Sequence, residues 1–410
     1  MASKASNLQG VLYAAESSFG ENSSSVTIRL RPTSIDTSGL DFPSQDIGIV
    51  KQYPHEAANN VRMPMGGSFT MDLPLTGLGS TTASTAPASD LVTFLSRVFG
   101  VSSAFLGTGD TLTGGTAAVP TTTGATGVVA GGVVRVGVLG DGGFEGQWVP
   151  VGTHTSNNLT LLLAGPAAPS ASDVLYCSRG VYESSTSGTF ETIASMRFGI
   201  RTSQQQYLCH GCYPTSVTWN LPIGGIPSVS VTMAVAWWEL TSGTFPISTA
   251  PDAFTPAPIA AGSFAYNAVG TTTRSTATIR DFTMTTELNN QPEMGPGGVD
   301  EHQAIVGCNR GVSRTTIAFT VDSEDAGTDT WGDYWDTDEN SIVNKHFMYS
   351  MSVGDGRALG LYIPNAKPIG SKPIQVDHEG VNRKRVEFEC LTGATTTSDV
   401  TLSPWRLAFG

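Results

Sequence analysis

One strand pattern occurs twice in this chain, and its repetition restricts the possible folds more than any other feature. Residues 68–76 set above residues 314–322 place their apolar side chains largely in phase, with Phe69 over Thr315 the exception. Alternation with a period of two gives a strand one buried and one polar face, so both stretches are expected to be half-exposed strands. Other landmarks recur in the same order. Thr27-Ile28-Arg29 precedes the first stretch and Thr278-Ile279-Arg280 precedes the second. Helical patterns follow at 89–99 and at 336–347, and strand patterns close each half, at 213–221 and 228–240 and again at 359–363 and 385–391. The chain reads as a duplicated β-rich unit rather than one large domain.

The length of 410 residues suits two or three domains. Only 14% of residues are charged and 47 are glycine, which favours strands and turns over long solvent-facing helices. The expected class is all-β dominated, a β-sandwich or barrel with short flanking helices. A net charge of −13 argues against a nucleic-acid grip, because affinity for phosphate rests on Lys and Arg displacing counterions. The same acidity suits a surface that DNA must pass without sticking. Residues 1–10 lack the apolar centre of a secretory signal and no later segment has the apolar length of a membrane span. A soluble chain made in the cytoplasm, with no membrane anchor, is therefore expected. Cys177, Cys209, Cys212, Cys308 and Cys390 form an odd set that suits reduced thiols better than a disulfide framework.

Along the chain, residues 1–22 are small and polar and read as an arm that orders only against a neighbour. A first domain is expected over 23–242, with an insertion at about 101–187 that carries strand-like 132–139 and 159–164. A linker covers 243–273 and a second domain 274–410. In the first helical stretch Ser89 and Asp90 can cap, Leu91, Val92, Leu95, Val98 and Phe99 make one apolar stripe, and Gly100 supplies the stop. Long connections at 32–64 and 287–303 precede the two alternating strands. Their equivalent places suggest equivalent jobs.

Chemical motifs are weak. Cys209-His210-Gly211-Cys212 has dithiol spacing, but no second pair completes a zinc site, and a redox motif should open a helix; a strand end with small buried thiols is the simpler reading. The acidic run Asp322, Glu324, Asp325, Asp329, Asp333, Asp336, Asp338, Glu339 lacks the ligand spacing of a calcium loop and reads as a solvated loop. Gly140-Asp141-Gly142-Gly143 and Gly354-Asp355-Gly356 are turns without the spacing of a phosphate loop. Arg383-Lys384-Arg385 reads as an exposed strand end or a salt-bridging subunit contact rather than a phosphate site. His55, His154, His210, His302, His346 and His378 show no nucleophile partner, so no catalytic, metal or cofactor residue is assigned.

The order of these features resembles the major tail tube protein of long-tailed double-stranded DNA bacteriophages, in its duplicated tube-domain form. The resemblance rests on the polar N-terminal arm, the long loop before an alternating strand, the helix at 91–99 and the segment from Gly211 to Val217. Leu359 to Ala366 and Val386-Glu387-Phe388 add to it. It implies two tandem tail-tube-like domains, each a β-sandwich flanked by a helix, whose sheet edges join subunits into a ring with a continuous β-barrel as its inner wall. Two copies per chain imply that a trimer makes a pseudo-hexameric ring.

On this expectation the rings stack in the virion tail, with the long loops bridging them through Gly39, Asp41, Tyr53, His55, Asn289, Gln291 and Met294. Thr70, Asp72, Thr316 and Thr320 face the lumen. Tape-measure, tail terminator and distal tail proteins are the implied partners, no cofactor is involved, and double-stranded DNA passes without specific binding. Two other readings stay open. One is a capsid, decoration or adhesion protein, which would form shells or knobs; the other is a β-rich carbohydrate-active protein, which needs a paired-carboxylate cleft.

Overall fold

The computed structural model describes residues 10–20, 26–41, 44–46, 60–62, 66–75, 90–99, 104–107, 110–124, 128, 130–137, 147–155, 157–171, 173–176, 178–183, 195–202, 205–241, 257–295, 305–322, 343–353, 357–369, 374–378, 381–393 and 399–410. Strands dominate and belong mostly to one hydrogen-bonded network of 19 strands, beside a closed barrel and two small hairpins. The fold is all-β. Among the described residues no helix is long and apolar enough to cross a membrane.

The network contains one arrangement of strands twice. In the first copy Gly10–Ala15 pairs with Ile28–Leu30 and Met196–Arg201; in the second, Ala261–Ala268 pairs with Ser275–Ala277 and Lys345–Ser352. Ser34–Asp36, Ser68–Pro74 and Ser228–Ala234 lie side by side, as do Ile279–Glu287, Arg314–Asp322 and Val381–Cys390. The long strand Gln206–Asn220 crosses between the two sheets of its copy, and Ala358–Pro368 followed by Ile374–His378 does the same in the other. Trp237–Leu240 and Arg406–Phe409 close the copies against those crossing strands.

An irregularity is duplicated as well. The register of Met196–Arg201 slips between Met196 and Phe198, opposite Cys212 and Cys209. That of Lys345–Ser352 slips between Lys345 and Phe347, opposite Ala366 and Ile363. A bulge bends a strand and increases its twist, and here it turns the crossing strand from one sheet into the other. Beyond it, Pro214 faces Met233 and Pro368 faces Phe388, which makes these two pairs equivalent. Phe69 lies opposite Met233 and Ile317 opposite Phe388. The true counterpart of Phe69 is thus Ile317, two residues beyond Thr315, and the one exception in the sequence alignment disappears. The short landmarks shift too: Ile28 faces Tyr13 as Ser275, not Ile279, faces Tyr266. Residues 359–363 match the first half of Gln206–Asn220 rather than 213–221.

Each copy packs its two sheets over a shared apolar core. Tyr13, Phe69 and Phe94 surround Phe198 in the first, while Phe264, Phe319 and Phe388 surround Phe347, the counterpart of Phe198, in the second. The helix Asp90–Val98 covers the first core with Val92, Phe94, Leu95 and Val98. Asp90 and Arg97 sit at the ends where the helix dipole favours them.

Three boundaries need correction. Gly10–Ala15 is a strand paired on both sides, with Val11 and Tyr13 in the core, so the arm does not extend over these residues. Ala261–Ala268 is its counterpart in the second copy, so the linker ends before it and the second unit starts earlier than 274. Of the second helical stretch, residues 345–347 are strand and 336–342 lie outside the described residues.

The insertion is a barrel in its own right. Asp110–Gly115, Pro120–Thr122, Val133–Gly137, Gln147–Thr155, Asn158–Leu161 and Val174–Tyr176 close on one another around Leu112, Val134, Val149, Leu159 and Leu175. Although its chain ends belong to the first copy, it seats on the second. Trp148 is fully buried among Ala265, Met348, Ala358, Tyr362 and Ala408, in a slot where a Cβ on Gly360 would come within 2.5 Å of its ring. The Trp148 backbone N–H donates to Ser350 Oγ at 3.1 Å and Arg274 Nη2 to Gln147 Oε1 at 3.3 Å. Ser178–Tyr182 then pairs with Arg406–Phe409.

Candidate functional site

The two copies meet edge to edge. Ser216 to Asn220 of the first pair antiparallel with Thr283 to Glu287 of the second, with Thr218 opposite Thr285 and Asn220 opposite Thr283. The strands joined here, Gln206–Asn220 and Ile279–Glu287, hold different positions in their copies, so the junction is head to tail. The counterparts of both edges remain. Among the described residues Ile374–His378 pairs only with Val381–Cys390, and Ser34–Asp36 only with Ser68–Pro74.

The sheet running through this junction has a polar face. Its half-exposed residues include Thr70, Asp72, Ser230, Thr232, Ser216, Thr218, Thr283, Thr285 and Thr316. Thr70 and Thr232 hydroxyls lie 3.0 Å apart, and the Thr218 and Thr285 hydroxyls, 3.4 Å apart, bridge the two copies. Ser34 Oγ donates to Asp72 Oδ2 at 2.5 Å. At the far end Arg314 meets Glu389 at 3.0 Å, and Arg385 meets Glu387 at 3.4 Å and Asp281 at 4.0 Å. The face therefore offers hydroxyls and neutralised guanidinium groups rather than a run of cations.

The predicted lumen residues Thr70, Asp72 and Thr316 share this face, whereas Thr320 has the same phase but is buried. Both long connections carry a small hairpin at equivalent places, Ser44–Asp46 with Asn60–Arg62 and Gln291–Met294 with Ile305–Asn309. Gly39 accepts the Ser68 N–H on its carbonyl at 2.9 Å, and Asp41 is exposed. Asn289 adopts a left-handed φ of 49° and donates through Nδ2 to Val312 O at 2.9 Å. Gln291 is exposed and Met294 is 54% exposed, while Tyr53 and His55 lie outside the described residues. The second hairpin is rooted on the first copy: Ile305 packs with Ala236, Trp237 and Phe19, and Asn290 Nδ2 donates to Pro214 O at 2.6 Å.

The chemical motifs resolve into structure. Cys209-His210-Gly211-Cys212 is the bulge itself, in the middle of a strand rather than at its end, and its counterpart Ile363-Pro364-Asn365-Ala366 has no thiol. Both cysteines are buried, burial pushes the Cys212 thiol well above its ordinary range, and His210 stacks on Trp237 with ring centres 4.0 Å apart. Within the basic run Arg383 is buried, while Arg385 is exposed and meets Asp281 and Glu387 of its own chain. Apart from Asp322, the acidic run lies outside the described residues, as do both Gly-Asp-Gly turns. Among the described residues no group of His, Cys, Asp and Glu is arranged to hold a metal ion.

Sequence reasoning missed the buried carboxyls of Glu16 and Glu183. Glu16 accepts hydrogen bonds from the Gly20 and Gly211 N–H groups and from Ser195 Oγ, and burial raises its pKa. Glu183 accepts from Ser313 and Thr315 hydroxyls across the copies, and burial raises its pKa to about 7. Neither stands in a motif, so no local signal marks them. No protein-family model matches the chain, and no curated protein matches it.

Proposed function

We propose that this chain is a structural virion protein that assembles into stacked rings forming a phage tail tube, a conduit for genome passage into the host. The observation that carries the reading is the head-to-tail junction inside the chain, with its two counterpart edges each paired on one side only among the described residues. A junction between unlike surfaces repeats from molecule to molecule, and it closes into a ring when the rotation divides a full turn. Three chains of two copies each make a six-unit ring. Exposed strand edges are pairing hazards for an isolated molecule, and closure removes them.

The hydroxyl-rich face suits the inner wall. Each phosphate captured by a free cation would add salt-sensitive retention, and the acidic balance opposes such capture. The long connections with Gly39, Asp41, Asn289, Gln291 and Met294 would bridge neighbouring rings. Tape-measure, terminator and distal tail proteins would meet the tube along its bore and at its ends, and DNA would pass without specific binding. Negative-stain electron microscopy of the purified protein at rising concentration tests the reading. Hollow filaments are the expected outcome; closed shells, or particles without a bore, would overturn it.

A further inference from the structure

We propose that Ile374–His378 of one chain pairs antiparallel with Ser34–Asp36 of a second copy, in the register that places Val376 opposite Asp36 and His378 opposite Ser34. This deepens the ring reading by naming which edges meet. The pairing follows from the duplication, and only its closure into a ring rests on that reading.

The register comes from the junction already made inside the chain. Met233 and Phe388 are equivalent, so Ser230 and Arg385, three residues before each, are equivalent too. Thr218 faces Ser230 and Ile374 faces Arg385, so Val376 stands where Asn220 stands. On the other edge, Ile35 faces Met71 and Phe282 faces Phe319, counterparts in the two alternating strands, so Asp36 stands where Thr283 stands. Asn220 lies opposite Thr283. The equivalent contact between chains puts Val376 opposite Asp36.

A second copy is favoured over any other extended segment because the chain already holds this junction closed once. A twofold pairing of like edges is disfavoured for the same reason, since the junction joins unlike edges. Each edge strand has its pleat fixed by the strand it already pairs with, so a slip of one residue would set opposite faces of the two sheets against each other. On repetition the sheet runs from first copy to second copy to the first copy of the next chain.

Cysteine cross-linking tests the pairing. Residues directly opposite in an antiparallel pair lie about 4.5–5.5 Å apart at Cα, within reach of a disulfide. The native Cys209, Cys212, Cys308 and Cys390 are buried, and the unsubstituted chain measures any background from Cys177. Oxidation of the Asp36→Cys/Val376→Cys variant should give covalent multimers, roughly tenfold above either single variant and above the slipped pair Ile35→Cys/Val376→Cys.

Products that stop at three chains support both the pairing and the ring. Products that run past three chains, without rings in the microscope, support the pairing and defeat the ring reading. Rings that form without the specific cross-link, or with equal yield from the slipped pair, overturn the pairing alone. A second measurement does not depend on disulfides. Val376→Asp sets like charges opposite each other and should weaken assembly, and adding Asp36→Lys should restore it. Assembly unaffected by Val376→Asp also overturns the proposal.

Discussion

Glu183 holds its carboxyl between the two copies, 2% exposed, with Ser313 and Thr315 hydroxyls donating to it and its own N–H donating to Ser403 Oγ at 3.2 Å. Burial raises its pKa from 4.5 to about 7 against the opposing pull of the Arg310 guanidinium. Between those values the folded chain keeps a proton that the unfolded chain releases. Stability must therefore fall as pH rises through that window and level off above it, by about 3 kcal/mol in all. Glu183→Gln removes this titration while keeping a polar group in place. The difference in melting temperature between wild type and variant should drift across pH 4.5 to 7 and be constant above; a difference independent of pH would refute the assignment. Glu16 is raised by burial as well, so the variant should retain some slope of the same sign. Gly211 is a second residue whose identity is set by its place. Its φ is 59°, and a Cβ would lie 2.7 Å from Ala236 Cβ and 2.8 Å from Phe19 Cε1. Gly211→Ala should cost about 2–4 kcal/mol in chemical denaturation, and a loss below about 1 kcal/mol would mean that the corner yields easily.

Strands with one wet face were legible in the sequence because alternation is a local signal, as in Ser68–Pro74, Arg314–Asp322 and Ser228–Ala234. Strands covered on both faces were not. Val11, Leu12 and Tyr13 are all buried, as are Phe264, Ala265 and Tyr266, and Lys345–Ser352 is buried nearly throughout. Such runs lose their alternation and look like an arm, a linker or a helix. The offset of two in the repeat has a related cause, because a shift of two residues leaves the facing pattern of a strand unchanged. Part of the cover over the second copy is the inserted barrel, whose dependence on a distant sheet no local pattern encodes. Trp148 ties it there, so Trp148→Ala should cost about 3–5 kcal/mol. Hydrogen exchange should then show faster opening of Lys345–Ser352 and Ala358–Pro368, while the barrel strands around Leu112 and Val149 stay protected by their own core. Equal loss of protection in the barrel would show that it has no independent stability.

At the scale of the whole molecule, the open edges and the polar face make separable demands, and substitutions can address one without the other. Thr218 and Thr232 are half-exposed on the polar face and lie away from the open edges, in stretches paired on both sides. Arginine at both positions should leave assembly intact, because neither side chain fills the core or stands opposite an open edge strand. On the tube reading, it would add to each chain two cations facing the bore, one opposite Ser230 and Thr285 and the other opposite Ser216 and Thr70, hydroxyls rather than carboxylates. Each new phosphate contact steepens the dependence of DNA affinity on salt by roughly one unit of log K per log salt. Phage carrying Thr218→Arg/Thr232→Arg should therefore eject DNA more slowly than wild type, with the delay largest at low ionic strength and fading as salt is added. The salt dependence is the decisive part. A delay that persists at high salt would come from narrowing or distortion of the bore, and no delay in intact tubes would mean that this face does not line the path of the DNA.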